Sequence, residues 1–306
     1  MTRGAMLTCD EYISPASLAD AFAAMKANRG RYRIIAGATD TLPWARDGRA
    51  GDVHIPLLID VAKIPELCEI SVGDKRVRLG AATPVQRFLD DPALVRALPA
   101  MPRCAVWFAD DQIRAQATVG GNIVNASPAA DATPCLIAHD ALVELASVRG
   151  RRTMPLREFV TGPNKTALAE GELLVALECD ALPEHGGAFE KVGHRRSLVI
   201  SLVCLAVLIR VDRDGRKIED ARLAIAGIGP RPLRLTEVEN CLRGPLNAER
   251  LDAAADMPVS LVASRTRQEY RRDVVRGFML RGLINAAQRA GADPGALAPE
   301  LEAAYA

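Results

Sequence analysis

Residues 112–134 read QIRAQATVGGNIVNASPAADATP. A short apolar–polar run ends in Thr118-Val119-Gly120-Gly121-Asn122, and the polar turn Asn125-Ala126-Ser127-Pro128 follows at once. Paired glycines let backbone N–H groups converge on an anion, because no Cβ obstructs a close approach. A companion lies upstream in Ile34-Ile35-Ala36-Gly37-Ala38-Thr39-Asp40-Thr41, a small-residue loop leaving a predicted strand. Two such loops are suited to hold a pyrophosphate from two sides. The backbone amides of 37–41 and 118–122 are the natural donors, with the side chains of Thr39, Thr41, Thr118 and Asn122 adding hydrogen bonds. On the residues alone, the loops read equally well as ordinary turns. No GxGxxG follows the first strand and opens a helix, which argues against Rossmann geometry.

Outward from the motif the chain alternates short strands and helices. Ser14-Pro15 predicts a helix start, with Ser14 as N-cap, and Leu18, Ala21, Phe22 and Met25 supply the helical stripe. RYRIIAG and LLIDV read as buried strands, and ISVGDKRVRLGAAT as a hairpin turning at Gly73-Asp74. Beyond the motif, DATPCLIAH predicts a short helix capped by Asp131, ALVELASVRGRRTMPL a second hairpin, and LLVALEC a strand. Leu182–Gly187 is a linker-like break. Strand-like runs near 188–193, 198–211 and 217–226 follow it, then helical segments at 236–243, 247–255 and 266–289. This pattern predicts an α+β domain over 1–180, a smaller sheet-plus-helix domain over 185–292, and an Ala/Pro-rich tail over 293–306 that is frayed or docks.

Composition narrows the function. The 306 residues carry 39 basic and 38 acidic side chains, so nothing in the overall charge suggests a nucleic-acid partner. The basic clusters Arg149–Arg152 and Arg265–Arg272 read as solvated faces. The longest apolar run, LVISLVCLAVLI at 198–209, is shorter than the ~20 residues a membrane-spanning helix needs, and reads as a buried strand or core segment. The N-terminus shows no secretory signal pattern. Seven cysteines are scattered singly with no CxxC, which favours reduced thiols in a cytoplasmic protein and offers no ligand set for zinc or an iron–sulfur cluster. Four histidines stand apart in sequence, and no Ser-His-Asp or Cys-His arrangement emerges.

The two glycine motifs resemble those of the flavin-binding, medium subunit of molybdenum hydroxylases, the xanthine dehydrogenase and carbon monoxide dehydrogenase group. That family reads AGGTDL in the first loop and T-[LIV]-GGN-[IL]-x-x-ASP-x-x-D in the second. The second pattern matches from Thr118 to Asp131, and TGPNKTALAEGELL, FEKVGHRRSLVIS and GIGPRPLRL agree further on. The resemblance spans roughly residues 8–290. One departure is Ala38, where the family more often has glycine; a positive φ there would strain it.

The resemblance implies a two-lobed PCMH-type FAD-binding domain followed by a smaller C-terminal domain of antiparallel sheet plus helices. It implies FAD, bound non-covalently since no histidine lies in either loop, and cofactor contacts from residues 34–41 (Ile34, Ile35, Ala36, Gly37, Ala38, Thr39, Asp40, Thr41), and from Thr118, Gly120, Gly121 and Asn122. By the same correspondence Phe108 lies against the dinucleotide, or is a core aromatic. Asp131 accepts from ribose hydroxyls, or serves as a plain N-cap. Leu174 lines the cofactor, and Lys191 stands near the isoalloxazine, where a cation favours the anionic reduced ring, or is a solvated strand lysine. Lys165-Thr166 is a family signature with no role derivable from the residues.

The implied function is an electron-transfer subunit. Electrons would come from iron–sulfur clusters on a small partner, fed by a molybdenum cofactor on a large molybdopterin-binding partner, and leave to NAD, O2 or a quinone-like acceptor. No residue of this chain would make bonds to the substrate. The alternative is a self-sufficient FAD-dependent oxidase or dehydrogenase, which would need a base beside the flavin; no candidate stands out.

Overall fold

Two parallel-strand crossings open the chain. Strands β1 (Thr8–Ile13), β2 (Tyr32–Ile35) and β3 (His54–Asp60) form a parallel sheet in the order β1-β3-β2, and the Leu18–Ala27 helix carries the chain from β1 to β2. Ser17 rather than Ser14 caps this helix: its hydroxyl accepts from the Asp20 amide at 3.1 Å, one turn in, and Leu18, Ala21 and Met25 are buried. The computed structural model describes residues 6–49, 51–195, 198–263 and 266–297. Most of the expected tail, beyond Leu297, lies outside these residues.

The second lobe is an antiparallel sheet. It comprises β4 (Ile70–Val72), β5 (Arg76–Gly80), β6 (Leu142–Ser147) and β7 (Gly150–Pro155), a small hairpin β8 (Val160–Gly162) and β9 (Lys165–Thr166) beside them, and β10 (Leu173–Asp180). The order of the five-stranded sheet is β4-β5-β10-β6-β7, so the last strand inserts between the two predicted hairpins. Short helices cover it. One core joins both lobes, from Leu57 and Ile59 through Leu79, Phe88 and Ile123 to Leu145 and Val175.

The C-terminal domain is a meander of β11 (Gly186–Val192), β12 (Val203–Val211), β13 (Lys217–Ala226) and the short β14 (Leu233–Arg234), with β15 (Gly244–Pro245) also on β13. The 22-residue Gln268–Arg289 helix packs along β11 and β12 over its own core of Leu205, Val207, Met279 and Leu283. The architecture is therefore a two-lobed α+β unit followed by a sheet-plus-helix domain. The apolar run at 198–209 is a strand only from Val203: Leu198 adopts a left-handed φ of 50° and Ile200 is 77% exposed. Arg271, in a cluster read as solvated, is buried and donates to the carbonyls of Leu202 and Gly227, tying the ends of β12 and β13; Arg265 lies outside the described residues. Among the described residues no helix is long and apolar enough to cross a membrane.

The two domains meet through charge as well as apolar surface. Arg222 of β13 donates to Asp180 at 2.7 Å and Asp140 at 3.0 Å, and Arg234 donates to Asp140 and the Ile137 carbonyl, both at 2.8 Å. Arg234 belongs to the GIGPRPLRL stretch, which thus grips the C-terminal end of the 132–138 helix. His139 is buried within the same seam, and burial pushes its imidazole down to about 3.

Candidate functional site

The first glycine loop leaves β2 and turns into the Thr41–Arg46 helix. Ala38 takes a left-handed φ of 53°, the strained geometry suspected from the sequence. This turn points the following amides away from the β ladder. Among the described residues, none of the N–H groups of Gly37 to Thr41 meets an acceptor, and the hydroxyls of Thr39 and Thr41 are likewise unengaged. Asp40 and Thr41 open the helix, where free amides are the rule; the three amides before them, in the half-buried turn, extend the run of unengaged donors to five.

The second motif differs from its sequence reading. Val119–Asn125 is a helix, not a loop, because Thr118 caps it: its hydroxyl accepts from the Gly121 amide at 3.0 Å. Every first-turn amide is engaged within the protein. Val119 N–H donates to Thr83 O at 2.9 Å, Gly120 N–H to Ala81 O at 2.8 Å, and Asn122 N–H to Thr118 O at 3.0 Å. Of the expected amide donors of 118–122, those of 119–122 are therefore not free. The two glycines also have separate roles. A Cβ on Gly120 would stand 2.5 Å from Ala81 O, so its absence lets two backbones pack; a Cβ on Gly121 would meet only Thr118 Oγ1, at 2.9 Å, and the residue is exposed. Gly121 has no positive φ. The side chain of Asn122 keeps a buried, unpartnered Oδ1.

Folding brings the two motifs together. A Cβ on Gly37 would fall 2.0 Å from Gln116 O, so the first loop lies directly on the chain entering Thr118. Asn125 Nδ2 donates to Asp40 Oδ2 at 2.8 Å, tying the loop to the end of the motif helix. The helix ends at a left-handed Ala126, whose carbonyl accepts from the Asn164 amide at 2.9 Å, while Asn164 Nδ2 donates to Asn125 O at 3.0 Å. The PNKT signature is thus a brace behind the motif, with Lys165 itself exposed.

Phe108 ends the Met101–Trp107 helix and packs partly buried against the first core, and its carbonyl accepts from Arg114 at 3.1 Å. Arg114 is buried, also holds Gln86 Oε1 at 3.1 Å, and was missed from sequence although it sits in the motif's own QIR; nothing in a lone arginine signals an inward side chain. Leu174 is buried in β10 next to a bulge, in the core.

Asp131 and Lys191 are brought together. Lys191 Nζ stands 2.5 Å from Asp131 Oδ2 and 3.2 Å from Trp107 O, with a side chain only 2% exposed. The other carboxylate oxygen accepts from Ser201 Oγ at 2.6 Å. Asp131 makes no capping bond to its helix; its side chain is turned across the domain boundary instead. Burial pushes its carboxyl up, against the opposing pull of Lys191 and Ser201. Three buried thiols, Cys104, Cys135 and Cys204, surround this pair, and burial raises Cys104 and Cys204 well above the ordinary thiol value, so both stay protonated and inert. Ser201 stood in the quoted FEKVGHRRSLVIS but carried no signal of its own, since the contact exists only once the two domains dock.

A two-lobed α+β unit with an unpaired amide run at the junction of two small-residue motifs presents donors of the kind that a phosphate-bearing cofactor requires. Residues 6–179 match the family model described as the FAD binding domain in molybdopterin dehydrogenase, and residues 188–286 match the CO dehydrogenase flavoprotein C-terminal domain. The chain belongs to this family of FAD-binding subunits. It is 34% identical to the putative xanthine dehydrogenase FAD-binding subunit of Escherichia coli (strain K12), over 92% of this chain and 97% of the relative. It is 29% identical to the carbon monoxide dehydrogenase medium chain of Hydrogenophaga pseudoflava, over 90% and 96% of the two. The solved structure of a cyanide-inactivated Cu,Mo-CO dehydrogenase superposes with a TM-score of 0.85 at 28% identity, covering 93% of this chain and 99% of that one.

Proposed function

We propose that this chain is the electron-transfer subunit of a multi-subunit molybdenum hydroxylase, taking electrons from iron–sulfur clusters on a small partner and delivering them to an external acceptor. The observation that carries the reading is the unpaired amide run at Gly37–Thr41, lying against the second motif. The residues suit FAD: a pyrophosphate would satisfy donors that the protein leaves without acceptors, the bare face of Gly121 offers room beside it, and the unpartnered Asn122 Oδ1 is an acceptor for a hydroxyl or N–H of the cofactor rather than for its phosphates. Bound FAD supplies the ability to exchange electrons singly or in pairs.

The chain's own residues bind, orient and tune. Amides 37–41 with Thr39 and Thr41 hold the pyrophosphate, Thr118, Gly120, Gly121 and Asn122 shape the opposite wall, and Phe108 and Leu174 provide apolar surface. The contributions of Asp131 and Lys191 are joined, because each neutralises the other across the domain boundary. The assignment of molybdenum and 2Fe-2S clusters to partner chains follows from membership of the family of FAD-binding subunits.

The test is anaerobic. The flavin-loaded subunit is mixed with the substrate of its complex, with and without the partner chains, and flavin absorbance is followed. Bleaching only when the partners are present is expected. Rapid bleaching by substrate with this chain alone overturns the subunit reading in favour of a self-sufficient flavoenzyme. Acid-released cofactor that co-migrates with FMN would overturn the pyrophosphate assignment.

A further inference from the structure

We infer that Ser201 is a positioning residue: its hydroxyl, delivered by the C-terminal domain, holds the buried Asp131 as a carboxylate and so keeps the Lys191 ammonium at the domain seam as its charged partner. This rests on the electron-transfer reading above only for its consequence, the charge that the flavin meets.

The site is nearly closed to water, with Asp131 7% and Ser201 5% exposed. Burial by itself favours the neutral acid, and an ion pair taken out of water gains little unless its remaining lone pairs are satisfied. Three donors satisfy them here. Lys191 Nζ meets Oδ2 at 2.5 Å, and Ser201 Oγ meets Oδ1 at 2.6 Å. The Cys204 thiol, kept protonated by its own burial, is bonded to the same carboxylate. An ionised carboxylate accepts from all three at once, whereas a protonated one commits an oxygen to its own O–H. A separation of 2.6 Å is that of a hydroxyl donating to an anion. Cys104 from the Met101–Trp107 helix and Cys135 from the 132–138 helix are the other titratable groups around the pair. Lys191 is the one cation paired with Asp131 among the described residues.

Of these donors only Ser201 lies outside a regular element, immediately before β12. Its place is set by a clamp on the next residue. Leu202 N–H donates to Val192 O at 2.8 Å, and Leu202 O accepts from the buried Arg271, which also holds Gly227 O at 2.5 Å. The hydroxyl therefore reaches across the domain boundary because the start of β12 is pinned to β11, to the end of β13 and to the Gln268–Arg289 helix. Without it the carboxylate loses one of its three donors while its burial is unchanged, and it takes up a proton at a higher pH. Lys191 is then an uncompensated cation in the seam, and a cation near the ring favours the anionic reduced flavin.

The experiment titrates the full chain as purified, by infrared difference spectroscopy, over the pH range in which circular dichroism stays native. The carboxylic-acid carbonyl band of Asp131 is identified by its loss in Asp131→Asn, and is followed in wild type, Ser201→Ala and Ser201→Thr. In Ser201→Ala, which removes the donor without adding volume, the band should appear about one pH unit or more above its position in wild type. Ser201→Thr keeps the hydroxyl and should return the band towards the wild-type position. Loss of a packing contact alone would lower the thermal midpoint without moving this band. A band at the wild-type pH in Ser201→Ala, or none over the native range, overturns the inference. So does a Ser201→Thr chain that titrates like the alanine variant while melting like wild type. The flavin midpoint potential is read on the same samples, and should rise more steeply on acidification in Ser201→Ala than in wild type. A shifted band in a chain that carries no flavin, or whose potential follows wild type, supports the role of Ser201 and overturns the placing of the pair beside the ring.

Discussion

The two glycine motifs look alike in sequence and do different work in the structure. The first loop, Gly37–Thr41, breaks from the β ladder through a left-handed Ala38 and leaves its amides without acceptors. The second, Thr118–Asn122, is a capped first helical turn whose amides from Val119 to Asn122 are all engaged. One motif is a set of donors; the other is a close-packed wall, where Gly120 admits the Ala81 backbone and Gly121 keeps a surface bare. A glycine pair thus signals close approach, and what approaches can be a ligand or the protein itself.

The largest effect is expected where the wall continues into the domain seam. Lys191→Met leaves Asp131 buried and unpaired, and should cost about 3–5 kcal/mol of stability at pH 8, read by denaturant unfolding. Asp131's carboxyl already lies above its ordinary value through burial, and losing Lys191 raises it further. A group with a raised folded pKa binds more protons in the folded than in the unfolded state. The loss should therefore grow as pH rises from the ordinary carboxylate value through the folded one, and shrink on acidification. A loss independent of pH would show that the pair matters through packing alone.

The glycines separate the two roles next. Gly120→Val should lower the thermal midpoint strongly, since the new Cβ meets backbone at Ala81 that has no room to yield, whereas Gly121→Val should keep a near-native midpoint and lose flavin by about tenfold or more. Full flavin occupancy in Gly121→Val would show the second motif to be structural only.

Two smaller changes sharpen the contrast. Thr118→Ala removes the hydroxyl that accepts the Gly121 amide and should cost about 1 kcal/mol, with flavin affinity falling only as far as the helix frays. Ala38→Gly removes a Cβ from a left-handed position and should stabilise by up to about 1 kcal/mol without loss of flavin. If it destabilises instead, Ala38's methyl has a packing role that outweighs its strain.

The sequence by itself determined a good deal. Its hairpins at Gly73-Asp74 and Arg149-Gly150 and the helical stripe from Leu18 to Met25 rest on local chemistry: turn residues and side-chain periodicity act over a few positions. The motif from Thr118 to Asp131 pointed to a flavoprotein family through its length and spacing. The strand Thr8–Ile13 was not legible, because an exposed edge strand written TCDEYI needs no apolar alternation. Only the tertiary structure decided which amides are free, since that depends on whether Ala81 and Thr83, some 40 residues upstream, reach the helix N-terminus. It alone decided that Asp131 faces Lys191 and Ser201 rather than its own helix. A buried carboxylate takes the strongest partner that packing brings to it, and here that partner comes from another domain.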